Sequence, residues 1–270
     1  MIDRLGFIGF GEVTCCLLRG ISDLSSGLNA FVYDIDRSLA CDRAKQFYGV
    51  KVCDSMNELL AYCDNVIVAI PGKVDKEMFV TLCGGEIDRH LFMDLSTALP
   101  AQKKEIAELV SQKGASYVDV AVMGSVPKLL QKTPMIISGE KTDAVIRILK
   151  PLGFDLTACG SEVGAASTIK LCRSIFMKGL PALFLETKRT CEKYNVSDQV
   201  FSSIYHNMAD QDMDTFFHRL LDGAYRHTKR QMEELQECIA MEETIGVSPV
   251  MTSAAASVFA SINEEKNNGK

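Results

Sequence analysis

Lys170 is followed three and four positions later by Arg173 and Ser174, in the run Lys170-Leu171-Cys172-Arg173-Ser174. On a helix this spacing places all three on one face, one turn apart. The neighbours Ile169, Leu171, Ile175 and Phe176 are apolar and suited to excluding water. A lysine in such surroundings, beside a second cation, has a depressed pKa and exchanges a proton near neutrality. Removing hydride from an alcohol needs such a base for the hydroxyl proton, and the reverse reaction needs an acid at the carbonyl oxygen. Arg173 adds a planar fork matched to a carboxylate. The competing reading is a solvated Lys–Arg pair on an exposed helix face, where most lysines sit.

A hydride carrier needs a seat, and the amino-terminal stretch has the residues for one. Gly9-Phe10-Gly11-Glu12-Val13-Thr14 lies directly behind the strand-like run Leu5-Gly6-Phe7-Ile8. The first glycine permits a tight strand-to-helix turn, and the second lets the backbone approach a pyrophosphate. The helix that follows aims its unpaired N–H groups at the phosphates. Thr14 stands where the motif has a small third residue, so looser packing of the first helix on the sheet is expected. A second strand-like run, Ala30-Phe31-Val32-Tyr33, ends in Asp34, 23 positions after Gly11, where a ribose-binding acid belongs. Its carboxylate favours NAD by pairing with the ribose hydroxyls and repelling a 2′-phosphate. Arg37 could turn onto such a phosphate, which leaves NADP possible. The expected cofactor contacts are Gly9, Phe10, Gly11, Glu12, Val13, Asp34, Ile70, Pro71 and Thr97. No His-Glu-His or Cys-His cluster suggests a metal.

Composition narrows the field. The 270 residues suit two domains and are 47% apolar and 24% charged, as in ordinary globular proteins. A net charge of −6 and a pI near 5.3 argue against a nucleic-acid partner. No apolar run reaches membrane-spanning length, and Met1-Ile2-Asp3-Arg4 lacks the layout of a secretory signal. The ten cysteines show no Cys-x-x-Cys spacing, so a reducing, cytoplasmic setting is expected.

Up to about residue 160, short apolar runs alternate with helical stretches. Strands are expected at Leu5–Ile8, Ala30–Tyr33, Val50–Cys53, Asn65–Ile70, Leu91–Leu95, Ser116–Val122, Met135–Ser138 and Phe154–Thr157. Helices are expected at Leu39–Tyr48, Met56–Cys63, Lys76–Leu82, Ala101–Gln112 and Asp143–Leu149. This alternation predicts an α/β, Rossmann-type, doubly wound parallel sheet over 1–160. An all-α substrate and dimerisation domain follows over 161–270, founded by a long helix from Glu162 to Tyr194. Further helices are expected over Asp198–His206, Asp212–Leu220, Tyr225–Ile245 and Pro249–Ile262, with a frayed tail Asn263–Lys270.

The chain resembles the β-hydroxyacid dehydrogenases, the family of 3-hydroxyisobutyrate dehydrogenase, tartronate semialdehyde reductase and 6-phosphogluconate dehydrogenase. Gly6-Phe7-Ile8-Gly9-Phe10-Gly11-Glu12 resembles the family's cofactor signature. Asp94-Leu95-Ser96-Thr97 with Pro100 is similar to its Asp-x-Ser-Thr-x-x-Pro segment. Asp119-Val120-Ala121-Val122-Met123-Gly124-Ser125 is similar to its substrate-binding Asp-Ala-Pro-Val-Ser-Gly-Gly. Gly164 through Lys170 resembles its catalytic Gly-x-Gly-x-x-x-Lys, with Ala166 for the second glycine. The resemblance implies that Lys170 is the catalytic acid and base, and that subunits pair as a homodimer.

It departs from the main family where Arg173 and Ser174 replace an Asn-Asn pair, and at Met123 and Ser125. Arg173, Phe176-Met177-Lys178-Gly179 and the later run from Arg226 to Glu233 are closest to a subgroup whose C-terminal domain is of unknown function. A small carboxylate-bearing substrate is expected at Ser96, Gly124, Ser125, Arg173 and Ser174. The Gly124–Ser125 N–H groups precede a helix start marked by Pro127, and Ser96 is placed to bond substrate or nicotinamide. His227, Arg230 and Glu233 share one side of a charged helix, for which a solvated face is the default. Two alternatives stay open: an imine reductase on the same frame, and a non-catalytic NAD(H)-binding sensor.

Overall fold

A computed structural model describes residues 3–22, 27–209 and 211–268. Met1, Ile2, Gly269 and Lys270, at the two ends of the sequence, lie outside the described residues. The chain divides into two compact units, Met1–Arg173 and Ser174–Lys270.

Among the described residues the first unit holds eight strands: β1 (Arg4–Ile8), β2 (Asn29–Tyr33), β3 (Val50–Val52), β4 (Asn65–Val68), β5 (Leu91–Asp94), β6 (Ser116–Val122), β7 (Met135–Ser138) and β8 (Leu156–Ala158). Their order is β3-β2-β1-β4-β5-β6-β7-β8. Every neighbouring pair is parallel except β6 and β7. Seven helices connect them: α1 (Glu12–Ser22), α2 (Arg37–Ala44), α3 (Met56–Tyr62), α4 (Gly72–Leu82), α5 (Pro100–Gln112), α6 (Val126–Leu129) and α7 (Thr142–Leu149). The strand order reverses between β1 and β4, and in sheets of this kind ligands bind outside the carboxyl ends at such a point.

The strands read as continuous apolar runs because both faces of the sheet are covered. Phe7 and Ile8 are neighbours in β1 yet belong to separate cores. On the first face Leu5, Phe7, Leu17, Val32 and Met93 pack together. On the second, Phe79 meets the edge of Phe92 at 5.5 Å, between Leu59, Val66 and Ile106. Each such side chain contributes about 1.5–3 kcal/mol on burial. Capping sets the helix starts: Asp36 accepts from the Leu39 N–H at 2.9 Å and Ser55 from the Glu58 N–H at 3.1 Å. The Asp36 cap moves the start of α2 to Arg37, ahead of the expected Leu39, and the helix ends at Ala44 rather than Tyr48. Thr14 corrects the expectation of loose packing: it is wholly buried, and its hydroxyl donates to Gly9 O at 2.6 Å, tying α1 to the turn before it.

The long helix α8 (Ala165–Tyr194) spans both units. The first unit thus runs past the expected boundary at 160 to Arg173, because α8 begins hydrogen-bonded to the sheet. The second unit continues with α9 (Ser197–Ala209), α10 (Met213–Arg226), α11 (Thr228–Thr244) and α12 (Val250–Asn268). Asn195, at φ +56°, takes the left-handed conformation that ends α8. Helix α12 continues to Asn268, so Asn263 through Asn268 are helical rather than frayed.

Few side chains of this second unit are buried. Glu186 is one, and its carboxylate accepts from the Met251 and Thr252 N–H groups, both at 2.8 Å, at the start of α12. Burial raises its pKa, but these backbone bonds and one from the Thr252 hydroxyl outweigh burial and hold the group below its ordinary value. Among the described residues, no helix is long and apolar enough to cross a membrane.

Candidate active site

The glycine turn follows β1 and faces the strand-order reversal. Gly9 sits at φ +92°, and a Cβ there would stand 2.4 Å from Ala69 O and 2.8 Å from Ile70 Cγ2. The chain itself therefore demands glycine at this position, because the β4–α4 turn closes on it. At Gly11 a Cβ would meet nothing within 4 Å. Space stands open over that backbone, as a pyrophosphate approaching the α1 N–H groups requires.

Asp34 lies just past β2, and its Oδ2 accepts from the Phe10 N–H at 2.7 Å while Oδ1 accepts from the Asp36 N–H at 3.0 Å. A carboxylate has about four acceptor positions, so two remain for ribose hydroxyls. Arg37 is drawn to Asp54 at 2.6 Å, an exposed pair that constrains it weakly. Arg43 donates to Phe10 O. Ile70 and Pro71 follow β4 beside the turn, and Glu12 and Val13 open α1 with Glu12 exposed. A Cβ on Gly72 would overlap Thr97 O at 1.9 Å, so the turns after β4 and β5 touch. These residues fit a dinucleotide.

Lys170 is half-buried in the second turn of α8, and its Nζ donates to Thr97 Oγ1 at 3.0 Å. Thr97 is exposed just beyond β5, on the same carboxyl edge as the glycine turn. The expected apolar shield is corrected. Ile169, Ile175 and Phe176 are 39%, 78% and 47% exposed, so in the single chain they do not screen the amine from water. Arg173 is exposed one turn beyond Lys170, and Ser174 is half-buried and opens the second unit.

One substrate expectation needs revision. Ser96 is 4% exposed. Its hydroxyl donates to Asp75 Oδ2 at 2.7 Å and accepts from Lys103 Nζ at 2.9 Å. It is therefore committed inside the protein, while its neighbour Thr97 takes the open position. Gly124 and Ser125 are exposed, but α6 behind them is a four-residue turn and not a helix with a useful dipole. His227 ends α10 and caps the start of α11, the helix that carries Arg230 and Glu233, and Arg230 lies 3.7 Å from Glu234 on an exposed face.

Sequence reasoning missed what lies beneath. Lys103 is 0% exposed, with Nζ 2.6 Å from Asp94 Oδ2 and 3.7 Å from Asp119 Oδ1. Asp94 also accepts from the Tyr117 hydroxyl. Asp75 completes the group, and burial, followed by the Asp94 charge, pushes its carboxyl up to about 7 against the opposing pull of Lys103. Its Oδ1 finds no hydrogen-bond partner among the described residues. One signal was available: Lys103 falls on the buried stripe of α5 with Ile106 and Val110.

A sheet with this strand order, a glycine turn with room for phosphates and an acid beside it define a dinucleotide-binding frame. Residues 4–160 match the family described as the NAD binding domain of 6-phosphogluconate dehydrogenase, and residues 192–262 match a domain of unknown function, DUF1932. The chain belongs to this family of NAD(P)-dependent oxidoreductases. It is 26% identical over 261 residues to an uncharacterized 28.5 kDa protein of Methanothermus fervidus, covering 97% of this chain and 99% of that one. It is 29% identical over 181 residues to the mitochondrial 3-hydroxyisobutyrate dehydrogenase of Drosophila melanogaster, covering 64% of this chain and 54% of that enzyme. The match thus spans about half the length of that dehydrogenase.

Solved structures share the fold, two reductases among them. An imine reductase variant from Myxococcus stipitatus, in complex with NAD+, superposes with TM-score 0.82 at 18% identity, over 98% of this chain and 94% of that one. A reductive aminase from Aspergillus terreus, in complex with NADPH and ethyl levulinate, gives 0.79 at 20%, over 98% and 95%.

Proposed function

We propose that the chain transfers hydride between a nicotinamide and a small carboxylate-bearing β-hydroxy acid or its carbonyl form, with Lys170 as general acid and base. The observation that carries this reading is the hydrogen bond from Lys170 Nζ to Thr97 Oγ1, on the edge of the sheet where the glycine turn lies. A bound nicotinamide supplies the hydride acceptor or donor. The turn Gly9–Val13 and the Ile70–Pro71 segment hold the nucleotide, and Asp34 accepts the ribose hydroxyls, which favours NAD over NADP. Lys170 takes the hydroxyl proton in oxidation and returns it to the carbonyl oxygen in reduction. Thr97 orients the amine by accepting a hydrogen bond from it, and Arg173 meets the substrate carboxylate, with Ser174 and the Gly124–Ser125 backbone as further contacts. The ten free cysteines suit a reducing compartment.

A homodimer is part of the proposal. Leu183, Phe217, Leu220, Leu221 and Tyr225 are all more than a third exposed in the second unit. A patch of that character marks an association surface.

The test is a panel of β-hydroxy acids, 3-hydroxyisobutyrate among them, with aldehydes, ketones and cyclic imines, each assayed with both nicotinamides by cofactor absorbance. Turnover of hydroxy acids with NAD is expected. Turnover of cyclic imines alone would move the assignment to imine reduction, and tight NADH binding without any turnover would make the chain a sensor.

A further inference from the structure

The buried amine of Lys103 touches, through short chains of bonds, both partners of the Lys170–Thr97 contact. On one side Lys103 Nζ donates to Ser96 Oγ at 2.9 Å, and Ser96 is the residue before Thr97. The Ser96 N–H also donates to Asp94 Oδ1 at 2.8 Å, and Asp94 is the principal ion partner of Lys103. On the other side Lys103 lies 3.7 Å from Asp119 Oδ1. Asp119 in turn accepts from the Ser167 N–H at 2.9 Å and the Ser167 hydroxyl at 2.8 Å. Ser167 is one helical turn before Lys170, so its anchorage sets the rotation and height of α8 where the amine projects. The Ala166 N–H, bonded to Ser138 Oγ at 3.1 Å, fixes the same turn.

Charge makes the arrangement specific. Asp75, Asp94 and Asp119 are each 0% exposed, and Lys103 is the cation among them. A buried carboxylate without its counter-charge is costly, so Asp94 and Asp119 hold their places only while the amine is there. No substrate reaches a side chain buried to this degree.

We propose that Lys103 is the positioning residue for the Lys170 amine, fixing Thr97 through Ser96 and the first turn of α8 through Asp119. Its place in the reaction rests on the reading of Lys170 as acid and base, but its effect on that amine does not.

The test therefore reads the amine directly in the whole, cofactor-free protein. Acetic anhydride labelling of Lys170 is followed against pH by mass spectrometry of its peptide, with exposed Lys141 as internal reference. In Lys103→Met the labelling midpoint of Lys170 is expected to move by about half a unit or more, roughly a threefold change in rate. Ser167→Ala, which removes one hydroxyl from the helix start, keeps the test available should Lys103→Met not fold, and shifts the midpoint as well. Val110→Ala opens a cavity in the same helix without touching the charges and leaves the midpoint in place. An unmoved midpoint in the Lys103 or Ser167 variant would overturn the proposal, as would an equal shift in Val110→Ala. Failure of the parent reading shows separately, as retained turnover in a Lys170 variant.

Discussion

The two glycines of the amino-terminal turn are held by different forces, which separates stability from binding at single-residue resolution. Gly9 is required by the chain: its φ of +92° and the 2.4 Å approach of Ala69 O leave no place for a methyl group. Gly9→Ala should lose about 1–3 kcal/mol from backbone conformation alone, measured by urea denaturation. Gly11 is open, so Gly11→Ala should stay within about 0.5 kcal/mol of the parent. Its NADH affinity should fall about tenfold or more, since the methyl group occupies the phosphate approach; titration by nicotinamide fluorescence checks this. Equal stability losses in the two variants would mean that the cradle is filled by the chain itself. Sequence spacing sufficed to find this turn and Asp34, because fingerprint and acid are separated by one β-α-β unit of nearly fixed length. It misplaced Ser96, because which of two adjacent hydroxyls faces outward depends on Asp75 and Lys103, from two other elements.

Among elements, α4 and α5 carry the most consequential buried groups. Asp75 in the first turn of α4 has its carboxyl pushed up to about 7 by burial and the Asp94 charge. The folded protein then binds a proton that the unfolded chain has released above pH ~4. This stabilisation is complete below about pH 4 and is lost as pH rises through about 7. Asp75→Asn should flatten that slope, so thermal unfolding of parent and variant should diverge between pH 5 and pH 8, with the variant relatively more stable at the alkaline end. Parallel melting curves would show that Asp75 does not titrate there. The strands themselves were readable, since parallel strands covered on both faces leave unbroken apolar runs such as Val66–Val68 and Leu91–Met93. The ionic group was not readable, since it is assembled from α4, β5, α5 and β6 and no single stretch contains it.

For the whole molecule, the contrast between the units is one of burial. The first covers its sheet on both faces; the second presents large apolar side chains along α8 and α10 with little core of its own. Helical periodicity marked those helices, but it records only that a stripe is apolar, not what covers it. A second copy is the proposed cover. Light scattering at micromolar concentration should give two chains per particle, and Leu221→Glu should shift the mass toward one while the sheet unit stays folded. A monomeric parent would remove the pairing.

The hydride-transfer account is tested most directly by kcat and NADH affinity of Lys170→Met, on whichever hydroxy acid the parent oxidises. The account predicts a kcat lower by about a hundred- to ten-thousandfold, with NADH bound as tightly as before. A kcat within tenfold of the parent would contradict it.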